Sequence, residues 1–247
     1  MRSKCTLVSV VTVCRNSADS IGLTINSVLK QKHPLIEFIV IDGLSSDNTF
    51  KIAKSYQNQF EAKGFKFICI SEHDRGIYDA MNKGVKMATG EWIVFMNSGD
   101  VFHDSFVIDH IFNVSNKLDS GIIYGNTLTL NSNKVAVPPQ SITKNFFIAE
   151  TICHQSLFCR RDVFENVGFF DLKYRIIADR EWLLKAFLAK VGFQYVPIVV
   201  SIWDEEGFSK QNIQIYIEES KELKLKYYTV LERIIYSIKW KIRSFIK

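Results

Sequence analysis

Short runs of apolar, largely β-branched residues alternate with amphipathic stretches through the first part of the chain. Four of the runs have the length and composition of buried strands: residues 8–13, 36–41, 65–70 and 91–96. Three intervening stretches carry apolar side chains at helical spacing and predict helices: residues 20–32, 49–60 and 77–88. Strands that alternate with helices in this way are typical of βαβ units, so we expect an α/β fold on a mainly parallel sheet.

The alternation becomes less regular after residue 100. Helices are predicted over residues 105–118 and 179–190, and strands over residues 121–130, 134–137 and 193–196. No window reaches the roughly 18 consecutive apolar residues of a membrane span. A chain of 247 residues is long enough for one compact domain with an appendage.

Polar and charged residues follow the four predicted N-terminal strands, at the point where each strand ends. In open parallel sheets, ligands bind at the carboxyl ends of the strands. The residues there form four clusters: Arg15 to Ser17, Asp42-Gly43, Glu72 to Gly76 and Asn97 to Asp100. One acidic residue after a strand is often only a helix cap, but four polar clusters on one edge predict a binding site.

The sequence contains neither of the common glycine-rich phosphate loops. There is no GxGxxG after the first strand and no GxxxxGK[ST] motif, which argues against dinucleotide oxidoreductases and P-loop proteins. A diphosphate can instead be held through a divalent cation, Mn²⁺ or Mg²⁺, that carboxylates chelate. Asp100 is the best placed carboxylate for that role.

Charge is distributed unevenly along the chain. The net charge is +5, but residues 221–247 hold eight basic and two acidic side chains, which leaves 23 basic and 24 acidic ones for residues 1–220. A body so close to neutral does not favour nucleic acid as a partner. Five cysteines without CxxC spacing predict reduced thiols, as expected in the cytoplasm.

Four segments together resemble the glycosyltransferases of family 2: residues 9–49, 71–100 (ending FMNSGD), 152–171 (beginning ICHQS) and 176–182 (IIADREW). The resemblance covers about residues 5–210 and is strongest to the branch that builds bacterial surface polysaccharides such as O-antigen and colanic acid. It implies a single GT-A domain, Rossmann-like, over residues 1–210, with a nucleotide-sugar half at about 1–100 and an acceptor half at about 101–210. It also implies a nucleotide diphosphate sugar donor, a divalent metal and inversion at the anomeric carbon.

The resemblance implies roles for individual residues. Asp179 matches the acidic residue that acts as general base, and Asp100 matches the aspartate that ligates the metal. The residues expected to bind the nucleotide sugar are Thr12, Arg15, Asn16, Asp42, Asp74, Arg75, Asn82, Asn97, Ser98 and Asp100. His154 and Trp203 are expected near the sugar or the acceptor.

The residues by themselves leave structural alternatives open. Asp179 precedes an amphipathic segment and fits a helix N-cap as well as a base. His154 fits a hydrogen-bonded core histidine, and Trp203 fits core packing. Tyr78 recurs at helical spacing with other apolar residues and is expected in the core.

Two glycines depart from the family's pattern. Gly43 stands where a second aspartate is usual, so a hydrogen bond to a uracil edge is in doubt, and a GDP sugar is the alternative to the expected UDP sugar. Gly99 leaves Asp100 as the only clear protein ligand for a metal. These departures keep open a non-catalytic scaffold that binds sugar nucleotides, and the strand-end aspartates also fit a nucleotidyltransferase.

Residues 211–247 are expected to form a basic, amphipathic helical tail. Its apolar stripe consists of Leu223, Tyr227, Val230, Ile234, Ile238, Ile242 and Phe245. Such a helix is typical of an anionic membrane surface or a partner helix, and a helix packed on the sheet is the alternative. Since the resemblance implies a lipid-linked oligosaccharide acceptor, we expect a cytoplasmic enzyme attached peripherally to the inner face of the plasma membrane.

Overall fold

The computed structural model describes residues 6–114, 120–203 and 212–245. The strands in these ranges are β1 (Val8–Cys14), β2 (Ile36–Asp42), β3 (Lys66–Ser71), β4 (Trp92–Phe95), β5 (Val101–Phe102), β6 (Ile122–Thr129), β7 (Val135–Ala136), β8 (Leu157–Arg160) and β9 (Phe193–Trp203). The helices are α1 (Ile21–Leu29), α2 (Thr49–Ser55), α3 (Gln57–Ala62), α4 (Ile77–Met87), α5 (Val107–Val114), α6 (Arg161–Val167), α7 (Ala178–Leu188), α8 (Ile213–Tyr227) and α9 (Val230–Phe245).

The strands form a single sheet in the order β3-β2-β1-β4-β8-β6-β9-β5, with β7 paired to β6. β1 runs parallel to β2 and β4, and β2 runs parallel to β3. Cys14 is paired with Asp42, which is paired with Ser71, so β1, β2 and β3 end level. The polar residues that follow these strands therefore meet at one edge, as the sequence predicts.

Antiparallel strands are concentrated in the second half of the sheet. β8 pairs antiparallel with β4 on one side and β6 on the other, whereas β9 runs parallel to β6. The predicted α/β fold is confirmed. β9 has 11 residues instead of the predicted four because it follows β6 through two register shifts. β8 and α6 were not predicted, since elements so short show no clear period.

Helices cover both faces of the sheet. α1, α3 and α5 contribute to the core on one face, and α4, α6 and α7 contribute to the core on the other. Val10 and Val11 of β1 are both fully buried but belong to opposite cores. Burial on both faces explains why the N-terminal strands are continuous apolar runs. The helix predicted over 49–60 is divided into α2 and α3 at Tyr56, whose hydroxyl accepts a hydrogen bond from Asn26 of α1 at 3.1 Å.

The C-terminal tail forms two helices, α8 and α9, which lie in different environments. Leu223 of α8 is fully buried, and Tyr228, directly after this helix, is also buried. Val230, Ile234 and Ile238 of α9 are between 51% and 62% exposed. The prediction of one continuous apolar stripe is therefore wrong, because its first members face the core and these later ones do not.

Two further members of the predicted stripe, Ile242 and Phe245, have side chains outside the described residues, as does the end of the helix predicted over 105–118. Within the ranges that the structure describes, no helix is long and apolar enough to cross a bilayer.

Candidate functional site

A cavity of about 490 Å³ opens at the carboxyl ends of β1, β3 and β4. Three of its walls come from the predicted strand-end clusters, and the fourth comes from the loop that precedes α7. The lining residues are Val13, Cys14, Arg15, Ser17, Asp74 to Ala80, Asn97, Ser98, Leu172, Tyr174 and Arg175. The structure thus brings together five predicted site residues, Arg15, Asp74, Arg75, Asn97 and Ser98.

The loops after β1 and β2 are joined by side-chain hydrogen bonds beside the cavity. Asn16 has a φ of 50°, and its Oδ1 accepts a hydrogen bond from the backbone N–H of Ser46 at 2.9 Å. The carboxylate of Asp47 accepts hydrogen bonds from the N–H groups of Ala18 at 3.1 Å and Thr49 at 2.9 Å. The hydrogen bonds from Thr49 lower the pKa of Asp47. Asn16 therefore fixes the loop rather than lining the cavity.

Two of the predicted nucleotide ligands, Thr12 and Asp42, are fully buried. The Thr12 hydroxyl donates to the carbonyl oxygen of Met96 at 2.6 Å, across to β4. The Asp42 carboxylate accepts hydrogen bonds from the N–H and hydroxyl of Ser45 and from the hydroxyl of Ser71. Direct contact with a nucleotide is not available to either side chain in this structure, because their polar atoms face neighbouring strands and loops.

Asp74 occupies the space beside Gly43. A β-carbon at position 43 would lie 2.3 Å from Oδ2 of Asp74 and 3.5 Å from Cδ of Arg15. The other Asp74 oxygen, Oδ1, accepts a hydrogen bond from the N–H of Gly76 at 3.0 Å. The absence of a side chain at Gly43 therefore allows Asp74 to take its position in the cavity wall.

The turn after β4 carries the predicted metal ligand, Asp100. Its N–H donates to the carbonyl oxygen of Asn97 at 2.9 Å, and its own carbonyl oxygen accepts a hydrogen bond from Thr24 at 2.8 Å. Gly99 has a φ of 99°, which disfavours an aspartate at that position. The described ranges contain no group of three or more His, Cys, Asp or Glu side chains that could hold a metal ion. Asp100 is not among the residues that line the cavity, and its role as a metal ligand stays a prediction.

Asp179 is the second residue of α7 and lies one hydrogen bond behind the cavity wall. Tyr78, which lines the cavity, donates its hydroxyl to Oδ1 of Asp179 at 2.9 Å and lies 2.7 Å from the carbonyl oxygen of Ile176. Nδ1 of His154 is 3.7 Å from Oδ2 of Asp179, and its Nε2 is 2.9 Å from the side-chain nitrogen of Asn97. Asp179 is therefore linked to the cavity wall through Tyr78 on one side and through His154 and Asn97 on the other.

The pKa values of His154 and Tyr78 are shifted by burial and by Asp179. Burial alone would lower the pKa of His154, but hydrogen bonding and attraction to Asp179, with a contribution from Asp100, raise it above its usual value. Burial, reinforced by the charge of Asp179, raises the pKa of Tyr78 well above its usual value. The Tyr78 hydroxyl therefore keeps its proton and acts as a donor to Asp179.

Two other predicted site residues, Asn82 and Trp203, do not line the cavity. Asn82 is buried, and its amide exchanges two hydrogen bonds of 2.9 Å with the backbone of Phe170. Trp203 ends β9, where it pairs with Thr129, and its indole nitrogen is buried. Asn82 joins α4 to the loop after α6 and Trp203 extends the sheet, and their expected contacts with the sugar or acceptor stay predictions.

Helix α8 holds the segment that carries Asp179. Glu219 is buried, and its carboxylate accepts hydrogen bonds of 2.6, 3.0 and 3.2 Å from the backbone N–H groups of residues 175–177. Glu181 of α7, also buried, accepts hydrogen bonds from Lys226 at 3.0 Å and from the hydroxyl of Tyr227. The residues before and after Asp179 are thus fixed to the tail.

Three contributions to this site were not predicted from the sequence. Tyr78 was expected only in the core, although its hydroxyl donates a hydrogen bond to Asp179. The loop of Leu172, Tyr174 and Arg175 lies between two of the segments that carry the family resemblance and had no predicted role. Glu219 had no predicted role either. A buried carboxylate in a helix of mixed polarity gives no periodic signal, so only the fold identifies its role.

Comparison with known proteins agrees with this geometry. The family model described as Glycosyl transferase family 2 matches residues 9–168. A PGL/p-HBAD biosynthesis glycosyltransferase of Mycobacterium bovis is 27% identical over 201 residues, which cover 81% of this chain and 77% of the relative. The Escherichia coli enzyme UDP-Glc:alpha-D-GlcNAc-diphosphoundecaprenol beta-1,3-glucosyltransferase WfgD is 31% identical over 153 residues, which cover 56% of this chain and 54% of the enzyme.

Solved structures share the fold at low sequence identity. Staphylococcus aureus TarS 1–349 in complex with UDP-GlcNAc superposes with a TM-score of 0.70 and 20% identity, over 83% of this chain and 61% of that chain. The mannosyltransferase PcManGT from Pyrobaculum calidifontis, in complex with GDP-Man and Mn²⁺, has a TM-score of 0.67 and 16% identity, over 86% of this chain and 61% of that chain. The predicted GT-A architecture is confirmed. With the family match running from β1 to the end of α6, the chain belongs to glycosyltransferase family 2.

Proposed function

We propose that this glycosyltransferase is an inverting, metal-dependent enzyme that moves a sugar from a nucleotide diphosphate sugar to a lipid-linked oligosaccharide during surface polysaccharide synthesis. The observation that carries the proposal is the polar connection from the cavity to Asp179, directly through Tyr78 and, on the other side, through Asn97 and His154. The printed name of WfgD, which includes a diphosphoundecaprenol acceptor, supports the lipid-linked acceptor. We include in the proposal that the surface polysaccharide is of the O-antigen type.

The nucleotide part of the donor is proposed to lie against Arg15, Asp74 and Arg75. A UDP sugar is the expected donor, and a GDP sugar is the alternative. Solved relatives of the same fold hold UDP-GlcNAc in one case and GDP-Man in another, so the test includes both nucleotides. Asp74 supplies the carboxylate closest to position 43 and is the residue we expect to contact the base.

A divalent cation, Mn²⁺ or Mg²⁺, is proposed to be held by Asp100 together with diphosphate oxygens and water. Hard cations accept such mixed sets of oxygen ligands. When bound, the cation neutralises charge that develops on the leaving diphosphate. Because Asp100 is the only protein carboxylate proposed for it, we expect weak binding of the metal without donor.

Asp179 is proposed to act as the general base. It would take the proton of the acceptor hydroxyl as that oxygen attacks the anomeric carbon, while the bond from this carbon to the diphosphate breaks on the opposite face. Tyr78 and His154 approach different oxygens of the Asp179 carboxylate. This arrangement fixes the carboxylate, and with it the direction from which an acceptor hydroxyl must approach.

The acceptor is proposed to be presented at an anionic membrane surface, on which α9 lies. Its exposed isoleucines give an apolar face, and the sequence from Arg233 onward supplies basic residues. Burial of apolar area and attraction to anionic lipids act together in helices of this kind. The enzyme would then be cytoplasmic and peripherally attached to the membrane.

The assignment of Asp179 is tested by Asp179→Asn. We expect sugar transfer to fall by about 10² to 10⁴-fold, the range for loss of a general base, while binding of UDP or GDP with Mn²⁺ is retained. Asp162→Asn is the matched control, since Asp162 lies in the first turn of α6 and its side chain is 46% exposed. Release of nucleotide from UDP and GDP sugars is measured with and without metal.

Unchanged turnover of Asp179→Asn would contradict the assignment of the base. If the native chain releases no nucleotide from either class of sugar nucleotide, with or without metal, the scaffold hypothesis replaces the enzymatic one. Formation of a sugar nucleotide from a sugar phosphate would instead support the nucleotidyltransferase.

A further inference from the structure

Three arginines line the cavity from three separate segments of the chain. Arg15 follows β1, Arg75 precedes α4, and Arg175 precedes α7. Arg75 already has a partner, because its guanidinium lies 3.5 Å from Asp79 and its N–H donates to the same carboxylate at 3.0 Å. Arg175 has a different environment.

The Arg175 side chain is exposed, and it forms no ion pair or side-chain hydrogen bond with another residue in the described ranges. An arginine in a cavity wall without a protein partner is available to an anion. Its guanidinium carries five N–H donors in a planar arrangement that matches phosphate oxygens.

The backbone of Arg175 is held firmly although its side chain is exposed. Its N–H donates to Glu219 at 2.6 Å, and the two following N–H groups donate to the same carboxylate at 3.0 and 3.2 Å. Glu219 belongs to α8 and is buried. A cation on a fixed backbone loses less conformational freedom on binding than one on a mobile loop.

Arg15 is the other cavity arginine without an ion pair among the described residues, so Arg15 and Arg175 are the positive groups available to neutralise a diphosphate there. The wall contains the carboxylates of Asp74 and Asp79, and the metal proposed at Asp100 has one protein carboxylate. Charge-assisted, bidentate hydrogen bonds from arginine are among the strongest interactions with phosphate.

We propose that Arg175 binds a phosphate group in the cavity, and that Glu219 is the positioning residue that holds it there. This inference rests on the proposed function. The phosphate belongs either to the diphosphate of the sugar donor or to the diphosphate of a lipid-linked acceptor. Both sources present a diphosphate, so titrations with different ligands distinguish them.

The test compares Arg175→Gln and Arg175→Lys with the native full-length chain. Calorimetric titration is carried out with UDP, GDP, uridine and farnesyl diphosphate, each with Mg²⁺. We expect Arg175→Gln to weaken binding of one diphosphate ligand by about tenfold or more, in line with the loss of a charge-assisted contact. Arg175→Lys should recover part of this loss, since it keeps the charge without the planar set of donors. Binding of uridine, which has no phosphate, should not change.

Lys190→Gln is the matched control. It removes a positive charge from an exposed position just after α7, at the opposite end of this helix from Asp179. Its titrations should equal those of the native chain. Thermal melting of all variants checks that they fold, which we expect because the Arg175 side chain is exposed.

Weaker binding of UDP or GDP by Arg175→Gln assigns the residue to the donor diphosphate. Weaker binding of farnesyl diphosphate alone assigns it to the acceptor. If every ligand binds Arg175→Gln as it binds the native chain, the inference is overturned and the proposed function stands. If the native chain itself binds none of the diphosphates, the proposed function fails, and the inference fails with it.

Discussion

Helices α8 and α9 follow one another in the same tail, yet they differ in how they contact the rest of the molecule. α8 exposes Ile213, Ile217 and Leu225 but buries Leu223 together with two polar residues, Glu219 and Ser220. None of the described side chains of α9 is buried, and five apolar ones are exposed: Val230, Leu231, Ile234, Ile235 and Ile238. Two helices with a similar amphipathic sequence can therefore have different roles in the molecule. We infer that α8 is part of the folded glycosyltransferase domain. The segment that could be removed without unfolding this domain would then begin after Tyr228.

The electrostatic contacts of the two helices differ in the same way. α8 bonds the backbone directly before α7 through Glu219, and the buried Arg180 donates to the hydroxyl of Tyr216 at 3.2 Å. α9 contacts the body through a pair between Glu232 and Lys144 at 2.8 Å, with both side chains about 30% exposed, and through Tyr236, which is partly buried against the core. Buried contacts of this kind are costly to break, whereas partly exposed pairs contribute little.

The largest effect should come from shortening the chain at two different points. A chain that ends at residue 212 lacks α8, so it loses Leu223 from the core and Glu219 from the start of α7; we expect no cooperative thermal unfolding. Loss of one buried leucine side chain alone typically costs about 2–5 kcal/mol. A chain that ends at residue 229 keeps α8 and should melt close to the full-length protein. Circular dichroism during heating measures both.

The chain that ends at residue 229 also tests the membrane role of α9. We expect the full-length protein to sediment with vesicles that contain anionic lipid, less so at high salt, because each basic side chain near such a surface contributes about 1 kcal/mol. The shortened chain should stay in the supernatant. Equal sedimentation of the two would show that α9 is not the membrane contact.

A smaller effect is expected from one glutamate in each helix. Glu219→Gln leaves three backbone N–H groups, two of them buried, with a single amide oxygen, so we expect a loss of about 2–3 kcal/mol in the free energy of unfolding. Glu232→Gln is the matched change in α9 and should cost less, because the pair of Glu232 with Lys144 is partly exposed. Hydrogen bonds from Lys144 and Thr229 lower the pKa of Glu232 to about 2. Its contribution is therefore present above the ordinary carboxyl pKa and is lost as the pH falls towards 2.

Urea denaturation at neutral pH measures both glutamate variants. Equal stability of the two variants would mean that α8 is held no more firmly than α9.

The smallest effect concerns the pKa of His154. Burial opposes its protonation, but Asp179 raises the pKa above the ordinary value of 6.5. The stabilisation that follows is fully present below 6.5 and is lost as the pH rises through the higher pKa of the folded protein. An NMR titration of the histidine ring signals, in the presence of a chelator, measures this pKa directly.

Substitutions at Asp179, Glu219 and Glu232 test whether the pKa of His154 depends on α8 or on α9. Asp179→Asn should lower the pKa of His154, and Glu219→Gln should lower it partially, because α8 fixes the start of α7. Glu232→Gln should leave it unchanged. A native pKa below the ordinary value would contradict the contact between His154 and Asp179.

The sequence predicted much of the nucleotide half and less of the rest. The strands that lead into the cavity are long apolar runs, and the polar residues after them reveal the binding edge. The burial of Thr12 and Asp42 was not predicted, because position at the end of a strand does not tell whether a side chain turns into the cavity or towards a neighbouring strand or loop. The wall with Arg175 could not be predicted, since its location depends on a buried carboxylate more than 40 residues away in α8.

The bare α-carbon at Gly43 limits how this protein could change its specificity. A β-carbon at position 43 would lie 2.3 Å from Oδ2 of Asp74, at the end of that side chain. An aspartate introduced at position 43 therefore requires the Asp74 carboxylate to turn away. The effects of substitutions at positions 43 and 74 should depend on each other, and engineered donor swaps should treat the two positions as one unit.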